Sequence, residues 1–326
     1  MPEHFLISRT DGIGDVILTL PMAGVLKKAF PGSKVSFLGR SYTVPIIECS
    51  EFVDYAINWD EVSSASPDVQ AEFLEKIGAT TIFHAFPRKE VLVAAKNAGI
   101  PLRVGTARRW HSFMKLNRRL WYSRKDSSLH EAQLNLKMLE AIGLHPKTDD
   151  ETIIAAYGLT CPEADVSFAT DFLSASRKVL IHPLSHGSAL EWPLASFAQL
   201  SQLLLREGIQ VGVTGTTKER EVMADQLPWE RVTDFSGRLD LRQLMALTGQ
   251  VDGVIAASTG PLHIAAGLGV HALGLYSPKR PIFPQRWRPI GQHAEYIVSD
   301  SHPEDGKLTI APDQVFERIL EWKASR

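Results

Sequence analysis

Ser258-Thr259-Gly260-Pro261, with His263 two residues further on, combines groups suited to holding an anion. A strand-like apolar run over 253–256 feeds hydroxyls and a glycine into a small-residue helix expected over 264–268. Proline is tolerated in the first turn of such a helix. Hydroxyls, free backbone N–H groups and the positive end of the helix dipole then converge on one point, where a diphosphate would fit. His263 lies on the same helix within reach of that point; the competing reading is a packed helix histidine. The loops 184–189, carrying Ser185, and 215–219, carrying Gly215 and Glu219, are expected to line the same edge. Glu219 is read either as an acceptor for ribose hydroxyls or as an exposed first-turn carboxylate. Tyr276-Ser277-Pro278-Lys279-Arg280 either brings positive charge to a phosphate or is a solvated loop.

The second chemical feature is the turn Arg9-Thr10-Asp11-Gly12-Ile13-Gly14-Asp15, directly after the apolar run Phe5-Leu6-Ile7. Downstream, over 16–30, Val16, Leu20, Ala23, Leu26 and Phe30 recur at helical spacing. A strand, a turn with two glycines and a helix open a βαβ unit. Gly12 and Gly14 are expected to let the chain turn sharply and let another group approach the backbone. On the turn alone, Asp15 reads as an N-cap, and Asp11 as a turn residue. The third glycine of the dinucleotide fingerprint is missing, since Ile17 and Leu18 stand there.

Residues 106–128 carry Arg108, Arg109, Lys115, Arg118, Arg119, Arg124 and Lys125, interleaved with Trp110, Phe113, Trp121 and Tyr122. This stretch is either a solvated loop or a surface for an anionic, partly apolar partner such as a phospholipid or a phosphorylated glycolipid. The chain as a whole has 35 basic and 37 acidic residues and a net charge of −2, which argues against nucleic acid. Cys49 and Cys161 lie far apart and form no metal-ligand pattern, which suits a reducing cytoplasm. The N-terminal residues lack the basic region and apolar core of a signal peptide, and no apolar run approaches the ~20 residues of a membrane span. A cytosolic protein is expected.

Behind these residues stand two series of alternating strands and helices. The first ends with the strand 102–105 and an amphipathic helix over 130–142, stopped by Gly143. Residues 144–176 read as irregular and polar and hold the linker, which divides a domain at 1–160 from one at 161–326. The second series restarts at 178–183, continues through Trp192-Pro193 and a helix to 206, and ends in an amphipathic helix over 312–324. That last helix can pack back on the first domain. The fold class is α/β, with two doubly wound parallel sheets whose strand ends meet a cleft.

Taken together, Gly14-Asp15 with Leu18-Thr19-Leu20-Pro21, Trp192-Pro193 with Phe197, Gly215 with Glu219, and Thr259-Gly260-Pro261-Leu262-His263-Ile264-Ala265-Ala266 resemble glycosyltransferase family 9. Its best-known members are the ADP-heptose:lipopolysaccharide heptosyltransferases. The resemblance implies a GT-B fold, with two Rossmann-like domains facing a central cleft. Acceptor binds mainly to the first and sugar nucleotide to the second. It implies inverting, metal-independent transfer with no cofactor, from a nucleoside diphosphate sugar, ADP-linked in the family, to a lipopolysaccharide-core or other surface-glycan acceptor. Asp15 falls where the family has its proposed general base. Ser185, Gly215, Glu219, Ser258, Thr259, Gly260, Pro261 and His263 become donor-site residues. Gly12, Gly14, Arg108 and Arg109 become acceptor-side residues. A cytoplasmic enzyme touching the inner face of a membrane is the implied setting, with no nucleic-acid partner.

Two positions depart from the family pattern. Ser258 replaces the usual aspartate before the Thr-Gly pair, and Leu190 replaces a lysine two residues before Trp-Pro. Losing a cation near a diphosphate weakens leaving-group stabilisation unless Lys218, Lys279 or Arg280 compensates. A diverged sugar-nucleotide or glycan binder of the same fold is therefore the alternative. A nicotinamide-dependent oxidoreductase ranks last, for want of the full glycine fingerprint.

Overall fold

In the computed structural model, residues 3–107, 110–124, 127–185, 187–299 and 306–322 are described. The chain divides into two compact units, Met1–Thr160 and Cys161–Arg326. The first holds β1 (His4–Ser8), β2 (Lys34–Gly39), β3 (Tyr55–Asn58), β4 (Thr81–His84), β5 (Leu102–Thr106) and β6 (Arg118–Leu120). They form one six-stranded sheet in the order β3-β2-β1-β4-β5-β6, parallel throughout. The second unit holds β7 (Lys178–His182), β8 (Gln210–Val213), β9 (Thr233–Asp234), β10 (Gly253–Ala257), β11 (His271–Tyr276) and β12 (Ala294–Val298). Their order, β12-β11-β10-β7-β8-β9, is the same doubly wound topology met from the other edge. The strand order reverses at β1/β4 in one sheet and at β7/β10 in the other, and ligands of such sheets bind beyond the strand ends at that point.

Continuous apolar strands flanked by amphipathic helices dictate this layering. Phe5, Leu6 and Ile7 of β1 are buried on both faces. Leu6, Leu38 and Ile82 pack with Leu74, Val91, Ala94 and Ala95 from the helices Pro67–Ile77 and Lys89–Asn97. In the second unit Trp192 meets Phe197 edge-on at 4.8 Å and donates its indole N–H to the Ile310 carbonyl at 2.9 Å. The Trp-Pro motif is therefore a core anchor opening the helix Leu194–Arg206.

Several elements differ from expectation. The helix expected over 16–30 is two, Ile13–Ile17 and Pro21–Ala29, because Pro21 starts a helix well and continues one poorly. The helix expected over 130–142 begins with a His130–Gln133 capping box and tightens to a 3₁₀ helix over Lys137–Ile142. The basic stretch contributes a helix, Trp110–Phe113, and the edge strand β6. The stretch expected to be irregular contains the helices Asp150–Ala155 and Thr170–Leu173. The two-residue strand β9 carries no apolar signal in sequence, and sequence reading misses β12, the run Ala-Glu-Tyr-Ile-Val. The carboxyl-terminal helix, Pro312–Leu320, packs on the core of its own unit. Val315, Ile319 and Trp322 are buried in that unit's core, and Arg177 donates to the Ile319 carbonyl at 3.1 Å. Among the described residues no helix is long and apolar enough to cross a membrane.

One helix contact sets a stability test. A Cβ on Gly24 would lie 2.4 Å from the Ala156 carbonyl oxygen, a backbone atom with little room to move. Alanine at this helical site gains about 1 kcal/mol in propensity. Overpacking costs about 1–3 kcal/mol, so the clash is expected to prevail. Gly24→Ala should lower the urea midpoint of the first unit; an unchanged or raised midpoint would show that the helix Pro21–Ala29 slides freely.

Candidate active site at the ends of the parallel strands

Arg9 follows β1 directly and is only 3% exposed, yet its guanidinium binds three carboxylates. Nε donates to Asp11 Oδ1 at 2.6 Å and one terminal nitrogen donates to Glu131 Oε1 at 2.9 Å. The other terminal nitrogen donates to Asp15 Oδ1. Burial alone would lower the Arg9 pKa; the three carboxylates outweigh it and raise it. Glu131, 1% exposed, also accepts from Arg124, whose second nitrogen reaches Asn135 Oδ1 at 2.9 Å. Asn135 donates to the Leu18 carbonyl at 3.0 Å and to Thr19 Oγ1 at 2.9 Å. Thr19 in turn donates to the Asp15 carbonyl at 2.7 Å. The base of the Asp15 turn is thus tied through charged and amide groups to a helix more than a hundred residues away.

Asp15 is the third residue of the helix Ile13–Ile17, and Gly12 is its N-cap. This corrects the N-cap reading: the Asp15 carboxylate turns to Arg9 instead of a backbone N–H. Gly12 has φ −67°, so its role is not a left-handed turn. A Cβ there would come within 3.1 Å of Asp15 Oδ2, so the missing side chain leaves room for that oxygen. Gly14 lies inside the same helix. The Asp15 side chain is 24% exposed. Burial, opposed by Arg9 and reinforced by Asp11 and Glu131, pushes its pKa up to about 6. The site therefore presents a carboxylate held by one oxygen, with the other unencumbered and more basic than usual.

Around it, Arg88 donates to the Thr10 carbonyl at 3.0 Å and Tyr42 to the Asp11 carbonyl at 2.6 Å. Sequence reading missed these two, and also His84, which pairs in register with Ser8 at the strand ends. Both His84 ring nitrogens and the Ser8 and Thr10 hydroxyls are buried without a hydrogen-bond partner among the described residues. Burial, reinforced by Arg103, lowers the His84 pKa to about 3, so the ring stays neutral. Arg108 and Arg109 lie outside the described residues.

In the second unit the stretch 258–263 follows β10 as expected of an anion site. Thr259 is the N-cap of the helix Gly260–Gly267, with extended backbone and no side-chain capping bond, and Pro261 stands in the first turn. Its hydroxyl is buried without a partner among the described residues. The backbone N–H groups of this first turn are accordingly uncapped by the Thr259 side chain. Ser258 lies close enough to the buried Tyr276 phenol to lower its pKa, against the larger effect of burial. His263 is 3% exposed, one turn into the helix.

The other expected donor residues have local tasks. The Ser185 N–H and hydroxyl both donate to Glu191 Oε1, at 2.8 and 2.9 Å. Glu219 is 4% exposed, not an exposed first-turn carboxylate. It closes a capping box, with Oε2 accepting from the Thr216 N–H at 2.7 Å. A Cβ on Gly215 would come within 3.3 Å of that same oxygen, so this glycine makes room for an acid as Gly12 does. Leu190 packs on the core, which explains why an apolar residue is stable at the position. Lys218, Lys279 and Arg280 are exposed, with the Arg280 guanidinium 4.6 Å from the Phe283 ring centroid. Among the described residues no three His, Cys, Asp or Glu side chains gather as a metal-ligand set.

The chain is 24% identical to the lipopolysaccharide core heptosyltransferase OpsX of Haemophilus influenzae, across 94% of this chain and 88% of that one. Its fold matches a glycosyl transferase family 9 crystal structure from Veillonella parvula, with a TM-score of 0.79 and 19% identity. That match covers 97% of this chain and 95% of the other. It also matches the E. coli heptosyltransferase WaaC with ADP, with a TM-score of 0.70 and 16% identity, over 98% and 99% of the two chains. Two parallel six-stranded sheets with these neighbours define the GT-B class, built from two Rossmann-like domains. The model of "Glycosyltransferase family 9 (heptosyltransferase)" matches residues 98–311, from just before β5 to the start of the carboxyl-terminal helix, and by that match the chain belongs to glycosyltransferase family 9 and is a glycosyltransferase.

Proposed function

We propose that this enzyme moves a sugar, heptose by analogy with its relatives, from an ADP-linked donor to a lipopolysaccharide-core or related surface-glycan acceptor. Transfer inverts the anomeric centre and needs no metal, and it takes place in the cytoplasm. The observation that carries the reading is Asp15: one oxygen is held by Arg9, the other is left clear above Gly12, and its pKa lies near 6. Such a carboxylate is ionised at neutral pH yet basic enough to take a proton from an acceptor hydroxyl. As that proton passes to Asp15, the acceptor oxygen forms a bond to the anomeric carbon. The bond from that carbon to the diphosphate oxygen breaks, and its electron pair leaves with the nucleoside diphosphate. Thr259 and the first-turn N–H groups of the helix Gly260–Gly267 are suited to the departing charge. The first unit takes the acceptor and the second the donor. Support for the donor comes from the E. coli neighbour held with ADP.

Leu190 and Ser258 favour a second reading, a sugar-nucleotide binder of the same fold that has lost turnover. A donor panel separates the two. Saturable ADP-heptose binding without transfer to any truncated glycolipid acceptor would establish the binder.

Asp15→Asn keeps an oxygen for Arg9 and removes the base. Transfer should fall about 10²–10⁴-fold while ADP affinity by calorimetry stays within twofold. Transfer at the wild-type rate would remove Asp15 from the mechanism. Since the ionised form is required and the Asp15 pKa lies near 6, log kcat/KM should fall as pH drops below about 6. Asp11→Asn removes a neighbouring negative charge that raises this pKa. It should move the acid limb to lower pH; a limb that stays put or moves upward would assign it to another group. Thr259→Val should weaken ADP binding about tenfold, as loss of ~1.4 kcal/mol, without changing the pH profile.

A further inference from the structure

The stretch 110–124 contains Lys115, Arg118, Arg119 and Arg124 and no aspartate or glutamate. Arg124 is turned inward onto Glu131, so it takes no part in the surface. The others lie along the outer edge of the first sheet, where β6 pairs only with β5. There Trp121 is 72% exposed and Met114 53% exposed, the large apolar side chains that point outward among the described residues of the segment. The Arg119 guanidinium sits 3.8 Å from the Phe113 ring centroid, and the Phe113 and Trp121 rings are 6.3 Å apart. Arg118 is exposed beside them.

This exposure is built into a braced loop. Asn117 accepts from the Arg103 N–H at 2.7 Å and donates to the Pro101 carbonyl at 2.7 Å. Arg103 donates to the Lys115 carbonyl at 2.9 Å, and Leu116 is buried against Gly105. Polar groups and one leucine hold the segment from inside, while a tryptophan and a methionine face water at a cost in apolar exposure. Arginines beside an outward tryptophan match the level of a bilayer where anionic headgroups meet acyl chains.

We propose that the edge formed by Phe113, Met114, Arg118, Arg119 and Trp121 docks the enzyme on an anionic phospholipid surface. Trp121 and Met114 enter the interface and the arginines meet headgroup phosphates. The docking is independent of the transfer chemistry, since none of these residues belongs to the Asp15 or Thr259 sites.

The test is co-sedimentation of the full chain with phosphatidylglycerol vesicles and with phosphatidylcholine vesicles, at low and high salt. Binding should favour the anionic vesicles and weaken with salt. The double variant Met114→Ser, Trp121→Ser should bind about tenfold more weakly, and Arg118→Ser, Arg119→Ser should abolish the anionic preference. Circular dichroism and the urea midpoint should match wild type, since these side chains face water. Absence of vesicle binding, or binding that neither double variant alters, overturns the proposal. A wild-type dimer that becomes monomeric on Trp121→Ser would place a second copy on the patch and overturn it too. Loss of vesicle binding with transfer to a soluble acceptor retained separates this result from the fate of the transfer reaction.

Discussion

A guanidinium buried among three carboxylates is the constraint on which the first unit's site depends. Removing Arg9 from water is costly, and breaking such a buried pair typically costs about 3–5 kcal/mol. The cost is tolerated because Asp11, Asp15 and Glu131 all bind it, while Arg124 supplies a second cation to Glu131. Opposed charges at this density hold the turn rigidly. They also set the basicity of Asp15 between two influences, since Arg9 favours its ionised form while burial and two neighbouring acids disfavour it. A surface aspartate would be less basic, and a fully buried one without Arg9 would be protonated.

The second unit solves a different problem with the same topology. Its strand-to-helix turn has no side-chain cap and leaves the Thr259 hydroxyl without a partner among the described residues, where the first unit gathers side-chain charge around Asp15. One turn holds a carboxylate of raised pKa and the other opens a helix that its N-cap side chain does not cap. Both use glycine for space: Gly12 clears an oxygen of Asp15 and Gly215 clears one of Glu219. In neither place does the chain need a left-handed residue.

The departures from the family pattern acquire a physical setting in the fold. Leu190 is half-buried and packs against the apolar core that holds Trp192 and Phe197, so its apolar side chain is stabilised there. Ser258 lies close to the buried Tyr276 phenol, which donates to the Trp287 carbonyl at 2.5 Å. Lys218, Lys279 and Arg280 are exposed on segments that follow β8 and β11.

Apolar runs of strand length alternating with amphipathic segments were enough to specify two parallel α/β units, because that alternation buries both faces of a parallel sheet. The Thr-Gly-Pro-Leu-His stretch was legible for a similar reason, since turn and cap chemistry is local. The Asp15 site was legible only in part. Its residue could be named from a motif, but Arg9, Glu131, Arg124 and Asn135 belong to it through contacts spanning up to 122 residues. Arg124 read as one more cation in a basic run until packing turned it inward onto Glu131. Of the two readings of Glu219, the exposed carboxylate falls because the helix cap and Gly215 enclose the side chain. Backbone propensity and periodicity are properties of neighbours in sequence, so the chain by itself determined its elements and turns. Burial and charge pairing are properties of neighbours in space, so only the tertiary structure decided which carboxylate is basic, which arginine is internal and which tryptophan faces water.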